Sequence, residues 1–193
     1  MSALIAIAIA YLIGSLSSAI ILSKIMKTPD PRTQGSGNAG ATNVLRTSGK
    51  KVAAIVLVGD ALKGLIAVWI GHFFHLTPFM LGITGFAAVA GHIFPVFFGF
   101  KGGKGVATAI GATMGLSFLT GILMAAAWAA IAFVTRYASL ASLITMVLGP
   151  VFLVFFATSG FLIPSVLIAV LVIWKHKENI TRLKSGTESK IAL

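Results

Sequence analysis

Almost every side chain in this sequence that could bind or move a charged group falls in three short stretches. The first runs Gln34-Gly-Ser-Gly-Asn-Ala-Gly-Ala-Thr-Asn-Val-Leu-Arg46. Gly35, Gly37 and Gly40 let the backbone approach a ligand closely. Ser36, Asn38, Thr42 and Asn43 supply hydrogen-bonding groups, and Arg46 offers a planar fork suited to phosphate or carboxylate. A short interfacial helix starting near Ala39 would add amides that favour an anion. The second stretch opens with Gly91 and His92 and ends Lys101-Gly-Gly-Lys-Gly-Val106. Lys101, Gly102, Gly103, Lys104 and Gly105 can form an anion-binding nest at the start of a helix. In the third, His176 to Glu188, the residues His176, Asn179 and Arg182 recur on roughly one helical face. The chemistry these types serve together is the handling of phosphate. Each stretch also has a plainer reading: a flexible polar loop, a basic turn at lipid headgroups, a juxtamembrane tail.

Several chemistries are excluded. Gly105, not Ser or Thr, follows Lys104, and Phe98 stands where a nucleotide-binding P-loop needs its first Gly. With no Cys, thiolate metal sites and Cys nucleophiles are absent. No Ser-His-Asp arrangement is legible, and four acidic residues are too few for a two-carboxylate mechanism. His72 and His75 lack a nearby carboxylate and read as interfacial residues rather than a metal pair. His92 reads either as a buried, satisfied imidazole or as part of the second stretch.

The elements that position these stretches must lie in lipid. The chain has 193 residues, of which 58% are hydrophobic and 10% charged, and its mean hydropathy is +1.02. Soluble domains average about 45–50% apolar and about 25% charged residues. A net charge of +11 with so few basic residues outside apolar runs points to an anionic leaflet or anionic substrate, not to nucleic acid. The sequence therefore predicts an all-α polytopic helix bundle in a single membrane domain, 1–193. Candidate spans are 3–22, 52–71, 78–98, 105–115, 117–135, 138–156 (kinked at Gly149-Pro150) and 158–174.

Charge decides how the long apolar stretch 106–135 divides. Split into a half-span and a full span, it gives seven crossings with the N-terminus outside. Fourteen of the fifteen Lys and Arg then share the cytoplasmic side. Read as one span, the same stretch splits the charges eight to six. The positive-inside rule favours seven crossings. The remaining basic residue, Lys63, lies three positions from Asp60 within a span, where the two can pair. They read as a structural ion pair or as the midplane site of a small phosphate carrier. Against the carrier, Gln34, Asn38, Asn43 and Asn179 all fall on one predicted face.

In order and spacing, the three stretches resemble the membrane-integral, acyl-phosphate-dependent glycerol-3-phosphate acyltransferases of bacterial phospholipid synthesis (the PlsY family). Gly35–Arg46, Gly91–Thr108 and His176–Glu188 match the family's motifs without departure, and length and topology fit along the whole chain. The His-x4-Asp signature of thioester-using acyltransferases is absent, since no His here has Asp five residues later. The resemblance implies transfer of a fatty acyl group from acyl phosphate to the 1-hydroxyl of glycerol 3-phosphate, giving lysophosphatidic acid and phosphate. It implies no cofactor, no metal and no nucleic-acid partner, and a cytoplasmic-face site in the bacterial inner membrane. On that reading the catalytic set is Ser36, Arg46, Lys104, His176 and Asn179. Gly35, Gly37, Asn38, Thr42, Asn43, His92, Lys101, Gly102, Gly103 and Gly105 join Ser36, Arg46 and Lys104 in binding substrate. Asp60, Lys63, Arg182 and Glu188 give support. Gly82–Gly91 and Gly111–Ala132 offer either a slot for an acyl tail or ordinary close helix contact.

Overall fold

A computed structural model describes residues 1–191, and every regular element among them is helical. Ten α-helices follow in chain order: α1 (Ser2–Gly14), α2 (Ser18–Ile25), α3 (Ala41–Ser48), α4 (Lys50–Phe73), α5 (Pro78–Ile93), α6 (Val106–Leu116), α7 (Phe118–Thr135), α8 (Ala138–Phe156), α9 (Leu162–Lys175) and α10 (Lys177–Lys184). Four helices are long and apolar enough to cross a membrane, or six if each of two bent helix pairs counts as one span. Outside this count, α6 has 11 residues and covers about 17 Å. The apolar stretch 106–135 divides at Ser117, whose extended backbone ends α6 and whose hydroxyl accepts the Thr120 N–H.

The span expected as one helix over 3–22 is two, α1 and α2, bent by 44°. Ser17 caps α2 by accepting the Ile20 N–H at 3.4 Å. That hydrogen bond takes Ile20 away from Leu16, its partner in a continuous helix. At the other end of the chain α10 turns 59° away from the last span, at His176.

Small residues set the packing, as expected where lipid supplies no hydrophobic drive. A methyl group on Gly64 would strike the Thr108 carbonyl, and one on Gly111 the Ala61 carbonyl. Backbone-level contact of this kind holds α4 against α6 and thereby fixes where the short helix begins. Gly14 and Gly91 do the same between α1 and α5. At the far end of α6, His72 Nε2 lies 3.1 Å from the Gly115 carbonyl.

Candidate active site

The loop before α3 is built around one buried side chain. Asn43 Nδ2 donates to the carbonyls of Pro31 (2.8 Å), Gln34 (3.0 Å) and Asn38 (3.1 Å), while its Oδ1 accepts the Ser36 N–H at 2.9 Å. Gly35 and Gly37 hold φ of +58° and +68°, and a side chain on Gly35 would collide with the Asn43 amide. The loop thus wraps the amide and presents Ser36, Asn38 and Thr42 to a cavity. Asn43, grouped from sequence with the phosphate contacts, has its amide committed to backbone. Arg46, in the last turn of α3, is exposed and donates to the Ser189 carbonyl at 3.1 Å. Arg32, not singled out from sequence, chelates Asp30 at 2.7 Å and reaches the Phe98 carbonyl at 3.1 Å, tying this loop to the next.

The loop before α6 is pinned from behind. Gly102 and Gly103 donate their N–H groups to the carbonyls of Ile93 (3.3 Å) and His92 (3.2 Å). Those two amides, expected to contribute to an anion nest, are spent on α5. The α6 N-terminus still supplies orphan N–H groups, and Gly105 begins it at φ +90°. Lys101 is exposed at the cavity rim, whereas Lys104 is half-buried and donates to Asn179 Oδ1. Burial, with Arg182 close by, pulls the Lys104 ammonium down to about 8.

The third stretch supplies the opposite wall. Glu188 Oε1 accepts from Ser139 Oγ (2.7 Å) and Asn179 Nδ2 (2.6 Å), and its Oε2 accepts from Arg182 Nε (2.7 Å). Burial works to raise the Glu188 carboxyl, but these three hydrogen bonds hold it below its ordinary value. One carboxylate therefore fixes Asn179, and through it Lys104, in a network joining α8, α10 and the 101–105 loop. Ser139 carries no sequence signal, being one hydroxyl in an apolar helix. His176 sits buried at the α9–α10 bend with Nδ1 2.8 Å from the Val172 carbonyl. A carbonyl can only accept, so Nδ1 carries the hydrogen and Nε2 keeps its lone pair. Burial lowers the imidazole to about 4, leaving it neutral at pH 7.

These groups converge on a cleft of about 1610 Å³. Its polar end holds Ser36, Asn38, Arg46, Lys104, His176 and Asn179; its other walls are apolar, from Leu57 and Val58 of α4, Ile110 and Met114 of α6, and Trp128 and Phe133 of α7. Of the two stretches read as either a slot or close helix contact, Gly82 and Gly91 make close contact, on Pro164 and on α1, whereas Met114, Ala125, Trp128 and Ala129 of the second line the cleft. Asp60 and His92 lie at the base of the cleft, both buried. Lys63 Nζ is 2.9 Å from Asp60 Oδ1 and donates to the Leu16 carbonyl at 2.9 Å. Among the described residues no group of three or more His, Asp or Glu could hold a metal ion.

A family model for glycerol-3-phosphate acyltransferase matches residues 4–186. The chain belongs to that family. Relatives named glycerol-3-phosphate acyltransferase include one from Coxiella burnetii (strain Dugway 5J108-111), 51% identical over 193 residues and covering all of both chains. Another, from Photobacterium profundum, is 48% identical over 94% of this chain and 89% of its own. Among solved structures, the glycerol 3-phosphate form of PlsY (YgiH), described as an integral membrane glycerol 3-phosphate acyltransferase, is 41% identical. It covers 100% of this chain and 96% of its own with a TM-score of 0.93. The lysophosphatidic acid form of the same protein is 40% identical over the same shares, with a TM-score of 0.91. The acyltransferase thus has both its fold and its membrane setting in common with a solved relative. Its family match takes in His176, Asn179 and Arg182 and ends two residues before Glu188, the carboxylate that organises them.

Proposed function

We propose that this acyltransferase moves a fatty acyl group from acyl phosphate to the 1-hydroxyl of glycerol 3-phosphate, releasing lysophosphatidic acid and phosphate in the first step of phospholipid synthesis. One observation carries the reading: a single cleft joins a cationic, amide-rich mouth to an apolar slot. A lipid-tailed anhydride and a small polar phosphate ester need those two surfaces side by side. The sidedness of the Lys and Arg residues supports seven crossings of a bacterial inner membrane, N-terminus outside, with the mouth on the cytoplasmic face.

In the proposed reaction Arg46, Lys104 and the α6 N-terminus hold the phosphates, while Asn38 and Asn179 orient the glycerol. Ser36 donates a hydrogen bond to phosphate or to the developing oxyanion. The glycerol oxygen attacks the acyl carbonyl, the carbonyl carbon–phosphate oxygen bond breaks, and the hydroxyl proton passes to a phosphate oxygen. His176, kept neutral at pH 7 by burial, accepts a hydrogen bond from that hydroxyl through Nε2 and orients it for attack. Acyl phosphate is already activated, so no acyl-enzyme is needed.

The test uses purified chain in detergent with palmitoyl phosphate and labelled glycerol 3-phosphate, omitting CoA, carrier protein, nucleotide and metal. Lysophosphatidic acid should form. Turnover that required palmitoyl-CoA would overturn the donor, and an acyl group trapped on Ser36 would overturn direct attack.

A further inference from the structure

Three buried ionisable side chains, two at the base of the cleft and one behind it, have no part in the reaction just described. Lys63 and Asp60 come from α4, and His92 from the last turn of α5. A charge pair in a span is costly, and two well-packed apolar side chains would fill the same space at less expense. Their geometry is directional. Lys63 takes the Leu16 carbonyl, which the break between α1 and α2 leaves without Ile20 as its partner. With that second anchor its ammonium is fixed, and it fixes Asp60 at 2.9 Å. Asp60 Oδ1, already paired with Lys63, faces His92 Nδ1 at 3.6 Å, and that nitrogen has no hydrogen-bond partner among the described residues. The other edge of the ring meets the loop. His92 Nε2 occupies the space a side chain on Gly103 would need, and the His92 carbonyl accepts the Gly103 N–H at 3.2 Å. Lys104 is the next residue.

We propose that Lys63, Asp60 and His92 form a positioning relay, which orients the His92 ring as a backstop for Gly103 and so sets where Lys104 meets a substrate phosphate. The relay carries the bend in the first span to the 101–105 loop through side chains that take no part in the acyl transfer proposed above. It rests on the reading that Lys104 binds phosphate, and the experiment separates the two.

Steady-state kcat and KM for glycerol 3-phosphate are measured alongside the unfolding temperature in detergent for Asp60→Asn, Asp60→Asn with Lys63→Gln, Gly103→Ala, Asp60→Asn with Gly103→Ala, and Lys104→Ala. The double neutral variant removes both buried charges, so a merely structural pair would be replaced with parent-like kinetics. The relay instead predicts a folded protein whose KM rises roughly tenfold, the scale of changes transmitted through intervening residues. Parent values of kcat and KM in that folded variant would overturn the relay. Gly103→Ala disturbs the loop end of the same path, so its effect and that of Asp60→Asn should combine to much less than their product. Full multiplication would also overturn it. Unchanged KM in Lys104→Ala would remove the relay by another route, because the phosphate reading beneath it would have failed.

Discussion

Replacing Lys104 with Met deletes the cationic end of the network while keeping a long unbranched side chain. A charge-assisted hydrogen bond contributes about 1.5–3 kcal/mol net, and Arg46 and Arg182 remain nearby to offset part of the loss. The expected fall is about 1–2.5 kcal/mol of transition-state stabilisation, or about 5- to 70-fold in kcat/KM. The pH profile sharpens the test. With its ammonium pulled down to about 8, Lys104 is charged below that pH and loses its proton as pH rises through it. Phosphate binding by the free enzyme should therefore be complete at pH 7 and fall about tenfold per unit well above pH 8. Lys104→Arg stays charged throughout, so its alkaline limb should disappear even if its absolute rate is lower. Initial rates of labelled lysophosphatidic acid formation between pH 6 and pH 9.5 measure all three proteins. A limb that survives unchanged in Lys104→Arg, or a loss under about fivefold in Lys104→Met, would refute the reasoning.

Two further outcomes follow from the site. Asn43→Ala should cost about 2–3 kcal/mol of stability, because it strips buried backbone groups of their partner, and should cut activity further by releasing Ser36. Asn43→Asp should be worse, since a carboxylate would face three carbonyls; parent-like turnover in the Asp variant would rule out the scaffold role. His176 gives a sign for acid lability. The unfolded imidazole takes a proton near 6.5 and the folded one only near 4, so the unfolded state binds more protons between those values. Stability should then decline as pH falls through that window, by up to about 3 kcal/mol, and the decline should be absent from thermal melts of His176→Asn.

Much of the site was legible because its chemistry uses residue types that are scarce in a membrane protein. Amides, a guanidinium and lysines at fixed spacing mark the three stretches whatever their conformation. Use was harder to read than presence. Asn43 and Asn38 look alike in a Gly-rich loop, yet one holds the loop from inside and the other faces the cleft. Ser139 was missed because its partner, Glu188, is set by folding rather than by nearby spacing, and Arg32 because its reach to the Phe98 carbonyl, unlike its local pairing with Asp30, exists only in the fold. Hydropathy read residues 3–22 as a single span since Ser15 and Ser17 barely lower the average, though Ser17 caps a second helix there. The small residues of Gly82–Gly91 and Gly111–Ala132 left a slot and close helix contact both open, and Gly82 and Gly91 proved to be the second. In this bundle those glycines bring backbones together, and the open wall lies between longer side chains of α4 and α7.

That wall has a consequence for how the enzyme counts its substrates. Leu57, Val58 and Phe133 line the cleft and also lie on the exposed apolar surface of the bundle. On the proposed reaction, a lipid-tailed donor seated there would arrive sideways from the bilayer without crossing water. Its effective concentration is then a mole fraction among neighbouring lipids, while glycerol 3-phosphate is counted per volume of solution. Adding detergent or lipid at constant total donor should slow the reaction by surface dilution without altering the affinity for the water-soluble partner. The two Michaelis constants of this enzyme belong to different phases.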